Sequence, residues 1–508
     1  METVDNIKDD EIDLALLKNL PLSFVKGNVF LPLRSHESKL LGAVADNRGI
    51  YALRDLARKM NLTPHPIEVR EEIIIDAINR IYSQTSRVNE VMGDIKGEDL
   101  SMIATEFESP KDLLELTEEA PIIRLLNAML MEAVKEKASD IHIEPYEKGV
   151  DVRFRVDGIL NKVLTPPKII HDALISRIKI IADLDIAEKR LPQDGRIKLL
   201  VGGKNIDIRV SIIPTALGER AVLRLLDRQA GVLSLEMLGL ADAILYSMKS
   251  ALSRQNGIIL VTGPTGSGKT TTLYASLLKL NTEDRNIITV EDPVEYQLSG
   301  IGQMQVNPKI GLSFATGLRS ILRQDPDVMM IGEIRDIETA EIAVHASLTG
   351  HLVLSTLHTN DAPSAVARLV DMGIEPFLVS SSLVCILAQR LVREICPYCK
   401  EAYTPTQQEI DYLELDRTPL HLYRGKGCDK CLNKGYLGRT GIYELLEVNS
   451  EIRSLIGERT DAQKITKFAS EQGFKPMYKD GIDKIISGVT TIDEVLRVTH
   501  SHEITKTP

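Results

Sequence analysis

Hydrophobic residues change their spacing several times along this chain of 508 residues, and each change predicts a different element. Near the N-terminus, Gly27-Asn-Val-Phe-Leu-Pro-Leu and Leu40-Leu-Gly-Ala-Val-Ala-Asp46 read as short strands. The runs Leu53 to Met60 and Glu71 to Tyr82 return an apolar residue every three or four positions and read as helices. Residues 1–85 are therefore expected to be a small α/β domain with no catalytic constellation of its own, and partner binding is the role expected of it beyond what the pattern shows. Residues 86–118 are polar and rich in Asp and Glu; they read as an acidic linker or as a solvated helix face.

A helical spacing resumes at Ile122 to Val134, after which apolar and polar residues alternate with period two in Ile141 to Ile143, Val152 to Val156 and Ile206 to Val210. That alternation predicts strands with one buried and one charged face, joined by turns at Asp157-Gly158 and Leu217 to Arg220. Residues 119–235 form this sheet domain, and its charged face carries Arg153, Arg155, Arg209, Arg220 and Arg224. Surface solubility normally mixes Lys with Arg, whereas Arg alone suits two-pronged contact with phosphate or carboxylate. Residues 236–390 switch to strand-like runs that are apolar but for Thr289, namely Ile258 to Val261, Ile287 to Val290, Val328 to Ile331 and Leu352 to Leu354.

The first of these runs leads into Gly263-Pro264-Thr265-Gly266-Ser267-Gly268-Lys269-Thr270-Thr271 and then a helical pattern. The glycines let successive N–H groups turn toward a phosphate at a helix N-terminus, a P-loop; a chance glycine-rich turn is the plain alternative. In the P-loop reading Lys269 reaches the β- and γ-phosphates and Thr270 ligates magnesium. The second run ends in Glu291-Asp292-Pro293-Val-Glu295, acids at a strand's carboxyl end where Mg²⁺ and an attacking water are held. The third ends in Gly332-Glu333, with glycine where an aspartate usually stands, so magnesium ligation passes outward through water and Glu333 polarises the attacking water. The fourth ends near Thr356, His358, Thr359 and Asn360, which suits His358 to sensing a γ-phosphate, a structural histidine being the other reading.

Cysteine and charge narrow the partners. Cys396 and Cys399 precede a gap of residues 400–427 and then Cys428 and Cys431. Two Cys-x-x-Cys knuckles point to a closed Cys₄ zinc site within a module of residues 391–440, with rubredoxin-type iron and a redox dithiol as alternatives. A helix is expected at Glu409 to Leu413 inside it, and residues 441–508 read as a helical C-terminal region. With 61 Lys and Arg against 72 Asp and Glu, the net charge of −11 argues against nucleic acid as a partner. The acidic start and the lack of an apolar run near the ~18 residues a bilayer needs point to a cytoplasmic chain.

Taken together, Ala138-Ser-Asp-Ile-His142-Ile-Glu-Pro, Arg190-Leu-Pro-Gln-Asp194-Gly-Arg196, the P-loop, Glu291-Asp-Pro-Val-Glu295, Gly332-Glu-Ile-Arg335-Asp and Ser355-Thr-Leu-His358-Thr-Asn resemble the type II/type IV secretion ATPase superfamily. Within it the chain is similar to the type II secretion branch, close to the extension ATPases of type IV pilus assembly. The resemblance covers about residues 119–500, more weakly the part before, and in it glycine before the Walker B glutamate is characteristic. It implies a RecA-like P-loop core preceded by a PAS-like sheet domain and a small N-terminal α/β domain. It also implies a homo-hexamer that hydrolyses ATP with Mg²⁺, peripheral at the inner membrane through the cytoplasmic domains of secretion platform proteins. Glu291, Glu295, Glu333, His358 and Lys269 would be catalytic, joined by Arg209 and Arg224 as the arginines that swing onto the phosphates; Arg319 and Arg323 match further basic positions near the nucleotide. Some pilus-extension relatives carry an N-terminal cyclic-di-GMP domain marked by Arg-Leu-Gly followed by spaced leucines and Gln; residues 1–85 show no such run, which argues against that ligand.

Overall fold

A computed structural model describes residues 7, 12–17, 20, 22–36, 38–85, 121–201, 204–227, 233–413, 421–459 and 461–499; the segment expected to be a linker lies outside these. The chain divides into two compact units, Met1–Ala230 and Gly231–Pro508. Among the described residues, no helix is long and apolar enough to cross a membrane.

The first unit holds two sheets. In the smaller, β1 (Phe30–His36) runs antiparallel to β2 (Lys39–Val44), which pairs in parallel with β3 (Thr63–Glu68). The Asp46 carboxylate accepts from the backbone N–H of Arg48 and Gly49, which starts the helix Asn47–Lys59 directly after β2. Phe30, Leu40, Leu53, Ile74 and Ile78 fill the core between sheet and helices. Sequence patterning misses β3 because Pro64 and Pro66 argue against a strand; at the sheet edge a missing N–H leaves no ladder bond unmade.

The larger sheet runs β6-β5-β4-β9-β8-β7, with β4 (Asp140–Pro145), β5 (Val150–Val156), β6 (Ile159–Leu164), β7 (Gln193–Val201), β8 (Lys204–Thr215) and β9 (Gly218–Asp227) all antiparallel to their neighbours. Ile141, Ile143, Phe154, Ile208 and Leu223 point to one face and pack on the helices Pro121–Lys135 and His171–Ile181 through Leu125, Met129, Leu174 and Ile178. The period-two pattern leaves the arginines on the other face.

The second unit is built on a seven-stranded sheet of order β12-β11-β13-β14-β10-β15-β18. Here β10 (Gly257–Thr262), β11 (Ile287–Glu291), β12 (Gly302–Gln305), β13 (Val328–Ile331), β14 (Leu352–Leu357) and β15 (Leu383–Ile395) are parallel, and β18 (Tyr436–Glu447) closes the edge antiparallel to β15. Every residue of β10, β13 and β14 is buried, as continuous apolar runs require of strands covered on both faces. Because β15 and β18 belong to this sheet, it continues past residue 390 and takes up strand residues on either side of 440. The four cysteines lie in the connection between these two strands, with the short hairpin β16 (Lys400–Tyr403) and β17 (Leu422–Gly425) and the helix Gln407–Tyr412, which Thr406 and Glu409 cap reciprocally.

Candidate nucleotide and metal sites

The strand β10 delivers the chain to the phosphate-type loop at the carboxyl edge of the sheet. Gly263, Gly266 and Gly268 have φ of 148°, 79° and 88°, values that residues with a Cβ rarely adopt. Gly268 ends the turn and leads directly into the helix Lys269–Leu280. The space beneath is also closed to a side chain: a Cβ at Gly263 would lie 2.5 Å from the Gln389 carbonyl oxygen. Gln389, on β15, braces the loop by donating from Nε2 to the Ser267 carbonyl at 2.6 Å, while its Oε1 accepts from the Thr272 hydroxyl at 2.7 Å.

Within this frame Lys269 is almost fully buried and its Nζ donates to the carbonyls of Gly263 (2.7 Å) and Pro264 (3.1 Å). Burial pulls its ammonium down to about 8, against the opposing charge of Glu333 and with help from Arg390. Thr270 and Thr271 remain exposed at the first turn of the helix. The Ser267 hydroxyl is buried with no hydrogen-bond partner among the described residues. Inward-curled glycines, a buried cation and an unpaired hydroxyl fit a polyphosphate held at a helix N-terminus, with Thr270 placed to ligate its magnesium.

Neighbouring strand ends complete the edge. The Thr262 hydroxyl lies 2.8 Å from that of Thr359 and accepts from the Thr359 N–H at 3.0 Å, tying the loop strand to the end of β14. The Thr356 hydroxyl donates to the Gly332 carbonyl at 2.8 Å and the Ile334 N–H donates to the Thr356 carbonyl at 3.0 Å, so Glu333 is held between fixed points. One Glu333 oxygen pairs with Arg335 and the other lies 3.3 Å from His358 Nε2. Burial alone would raise this carboxyl, yet the hydrogen bond and charge of Arg335, with His358 in support, hold it below its ordinary range. Glu333 is therefore an ionised acceptor near neutral pH.

The remaining expected residues are distributed differently. Glu291 ends β11 as the pattern predicts, but its carboxylate is 3 % exposed. It accepts from the hydroxyls of Tyr274 and Thr289 and from the Gln303 amide. Glu295 follows in the next loop, half-buried. Arg319 and Arg323, expected near the nucleotide, engage Glu338 and the helix's own Arg319 carbonyl and Ser320 hydroxyl, and both are exposed. Arg335, Gln389 and Arg390, which donates to Asn360 Oδ1 at 2.8 Å, belong to this edge although sequence reasoning gives them no role. The polar pair Gln389-Arg390 interrupting the apolar stretch Val384 to Val392 is the one signal that could have found both.

In the first unit, ladder register sets Arg155, Asp140, Arg224, Arg209 and Arg196 in one line across β5, β4, β9, β8 and β7. Residues directly opposite one another share a face, so this is a continuous stripe. Buried acids of β4 organise it: Asp140 pairs with Arg224 at 3.0 Å and Arg155 at 3.6 Å, and Glu144 pairs with Arg153 at 2.6 Å and Arg220 at 2.5 Å. The sequence shows the arginines but gives no sign that acids from the central strand aim them.

The cysteines converge as expected. Sulfur separations of 3.9 Å for Cys396 and Cys428, 3.8 Å for Cys399 and Cys431 and 3.7 Å for Cys428 and Cys431 match the edge of about 3.8 Å that a tetrahedron with metal–sulfur bonds of about 2.3 Å requires. Backbone N–H groups of Gly427, Cys428 and Gly435 point at Cys399 and Cys431 sulfurs from 3.2–3.3 Å, which favours thiolates. The knuckles need close backbones, since a Cβ on Gly425 would fall 1.9 Å from the Gly435 carbonyl oxygen. Four thiolates fit one tetrahedral zinc with no position left for water.

Comparison with known proteins agrees with this arrangement. The family described as Type II/IV secretion system protein matches residues 115–497, and the MshEN domain matches residues 4–88. The Type II secretion system protein E of Pseudomonas aeruginosa is 52% identical over 493 residues, 95% of this chain and 96% of that protein. The Type II secretion system ATPase E of Vibrio cholerae is 52% identical over 438 residues, 85% of this chain and 87% of that one. Among solved structures, the pilus retraction motor PilT with bound ADP is 29% identical with a TM-score of 0.51, covering 74% of this chain and 97% of PilT. With a P-loop sheet, an acidic strand edge and relatives matched along almost their whole length, the chain belongs to the Type II/IV secretion system protein family.

Proposed function

We propose that the chain hydrolyses ATP to ADP and phosphate and, as a homo-hexamer at the cytoplasmic face of the inner membrane, powers pseudopilus assembly and protein export through a type II secretion system. The observation that carries this reading is the single sheet edge where Lys269 sits in a glycine loop and an ionised Glu333 is held by Arg335 and His358. Bound MgATP would supply the phosphoanhydride and the charge neutralisation for phosphoryl transfer to water. Lys269 binds the phosphates, Glu333 accepts the proton of the attacking water at a carboxylate oxygen, and His358 orients that carboxylate. Arg209 and Arg224 supply positive charge to the triphosphate, Cys396, Cys399, Cys428 and Cys431 hold a structural zinc, and cytoplasmic portions of inner-membrane platform proteins are the partners. Relatives at 52% identity are named for type II secretion, which favours that pathway over type IV pilus extension.

Lys269→Ala and Glu333→Gln separate the two roles. Lys269→Ala is expected to lose nucleotide binding, whereas Glu333→Gln retains it and loses about two to four orders of magnitude in hydrolysis. Filter binding and phosphate release on the folded variants check this, and near-normal turnover by Glu333→Gln would remove Glu333 from its role.

A further inference from the structure

The helix that follows the phosphate loop carries a second polar group that none of the above uses. Tyr274 is 1% exposed, one helical turn beyond Thr270 on the same helix. Its hydroxyl donates to Glu291 Oε2 and accepts the Glu295 N–H at 3.2 Å, so both ends of the acidic segment 291–295 close on one oxygen atom. The ring meets Tyr296 edge-on with centroids 6.1 Å apart, which seats the segment's far side on the same residue. On Glu291, Oε1 already accepts from Thr289 at 2.5 Å and Gln303 at 3.0 Å. A carboxylate offers about four acceptor positions, and these three donors leave one, on the oxygen that Tyr274 holds. Tyr274 thereby sets the direction of the remaining lone pair and the distance of the acidic segment from the turn bearing Thr270.

We propose that Tyr274 is a positioning residue for ATP hydrolysis, acting through the Glu291 carboxylate and the Glu295 backbone to hold the acidic segment in register with the magnesium-binding turn. The proposal rests on the ATPase reading above. It distinguishes Tyr274 from a core aromatic, whose hydroxyl would matter only to stability.

Tyr274→Phe keeps the buried ring and removes the oxygen. Loss of one hydrogen bond to a charged group is expected to lower kcat about ten-fold with KM for ATP changed by less than about two-fold. The strengthening of nucleotide binding by Mg²⁺, read from a fluorescent ATP analogue titrated with magnesium and with chelator, is expected to shrink several-fold while magnesium-free binding is unchanged. Glu291→Gln should show the same magnesium defect, and Tyr274→Phe should add less than two-fold to it, because the two act as one unit. A Tyr274→Phe protein that melts lower but keeps wild-type magnesium dependence would overturn the proposal, as would additive effects in the double variant. If the wild type binds MgATP yet hydrolyses none, the ATPase reading fails, and the magnesium-linked binding arm still decides the role of Tyr274.

Discussion

Lys269 has its ammonium folded onto the carbonyls of the loop it serves, and burial there leaves its proton weakly held, at about 8 against an ordinary 10.5. The sign follows directly. Below pH 8 the charged form binds phosphate; above it the free protein increasingly presents a neutral amine. The free-enzyme profile, kcat/KM for ATP against pH, is therefore expected to fall above about pH 8, whereas kcat at saturation falls later because bound phosphate restores the proton. A profile flat to pH 9.5 would contradict this. At this scale the sequence is informative where spacing encodes chemistry, as in the glycine loop and the four cysteines, whereas the contact of Glu333 with His358 is made between the ends of two strands. It is silent on Gln389, Arg390 and Tyr274, because their roles come from strands and helices far apart in sequence: Gln389 lies on the strand next to the loop's own and 122 residues from Ser267 along the chain. It also could not show that Arg319 pairs with Glu338, a contact made between two helices.

The larger β-sheet of the first unit shows how an element converts alternation into a surface. Like charges opposite one another, as Arg209 and Arg224 are, destabilise a ladder unless an acid intervenes. Asp140 does so for Arg224, leaving that side chain 59% exposed and oriented. Removing either guanidinium is thus expected to cost little stability and much activity: Arg209→Ala and Arg224→Ala should each lower ATP turnover about ten-fold or more by withdrawing charge from the transition state. Thermal melting and steady-state turnover on the same preparations check both halves, and normal turnover in both folded variants would reduce the stripe to ordinary surface. Glu144 makes a poor target for the same question, since it is buried under Arg153 and Arg220 and its loss strands two charges. The element types were legible because period-two and continuous apolar runs differ so plainly. β3 was not, because proline at a sheet edge carries no penalty that a sequence can display.

At the scale of the molecule, the cysteine module is a connection between two strands of the second unit's sheet. Its position was hidden because the pairing of β15 with β18 joins residues on both sides of the module, from Cys385 opposite Glu447 to Ile395 opposite Tyr436. The half of that ladder from Cys385 to Gln389, where Gln389 lies opposite Tyr443 beside the P-loop, is buried, and Cys385, Leu387 and Tyr443 belong to the core. The other end stops at Cys396, whose N–H reaches the Gly435 carbonyl at 3.0 Å. A metal held by the four cysteines would therefore contribute its folding free energy at the distal end, while the strand that carries the brace on the loop is secured by apolar packing. Metal analysis is expected to find one zinc per chain. Cys396→Ser should lose it and raise hydrogen exchange across residues 396–435, leaving protection of β10 and the affinity for ATP within about two-fold of wild type. Iron in place of zinc would overturn the metal assignment; loss of ATP binding in the folded variant would show that the ladder transmits the module's state to the loop.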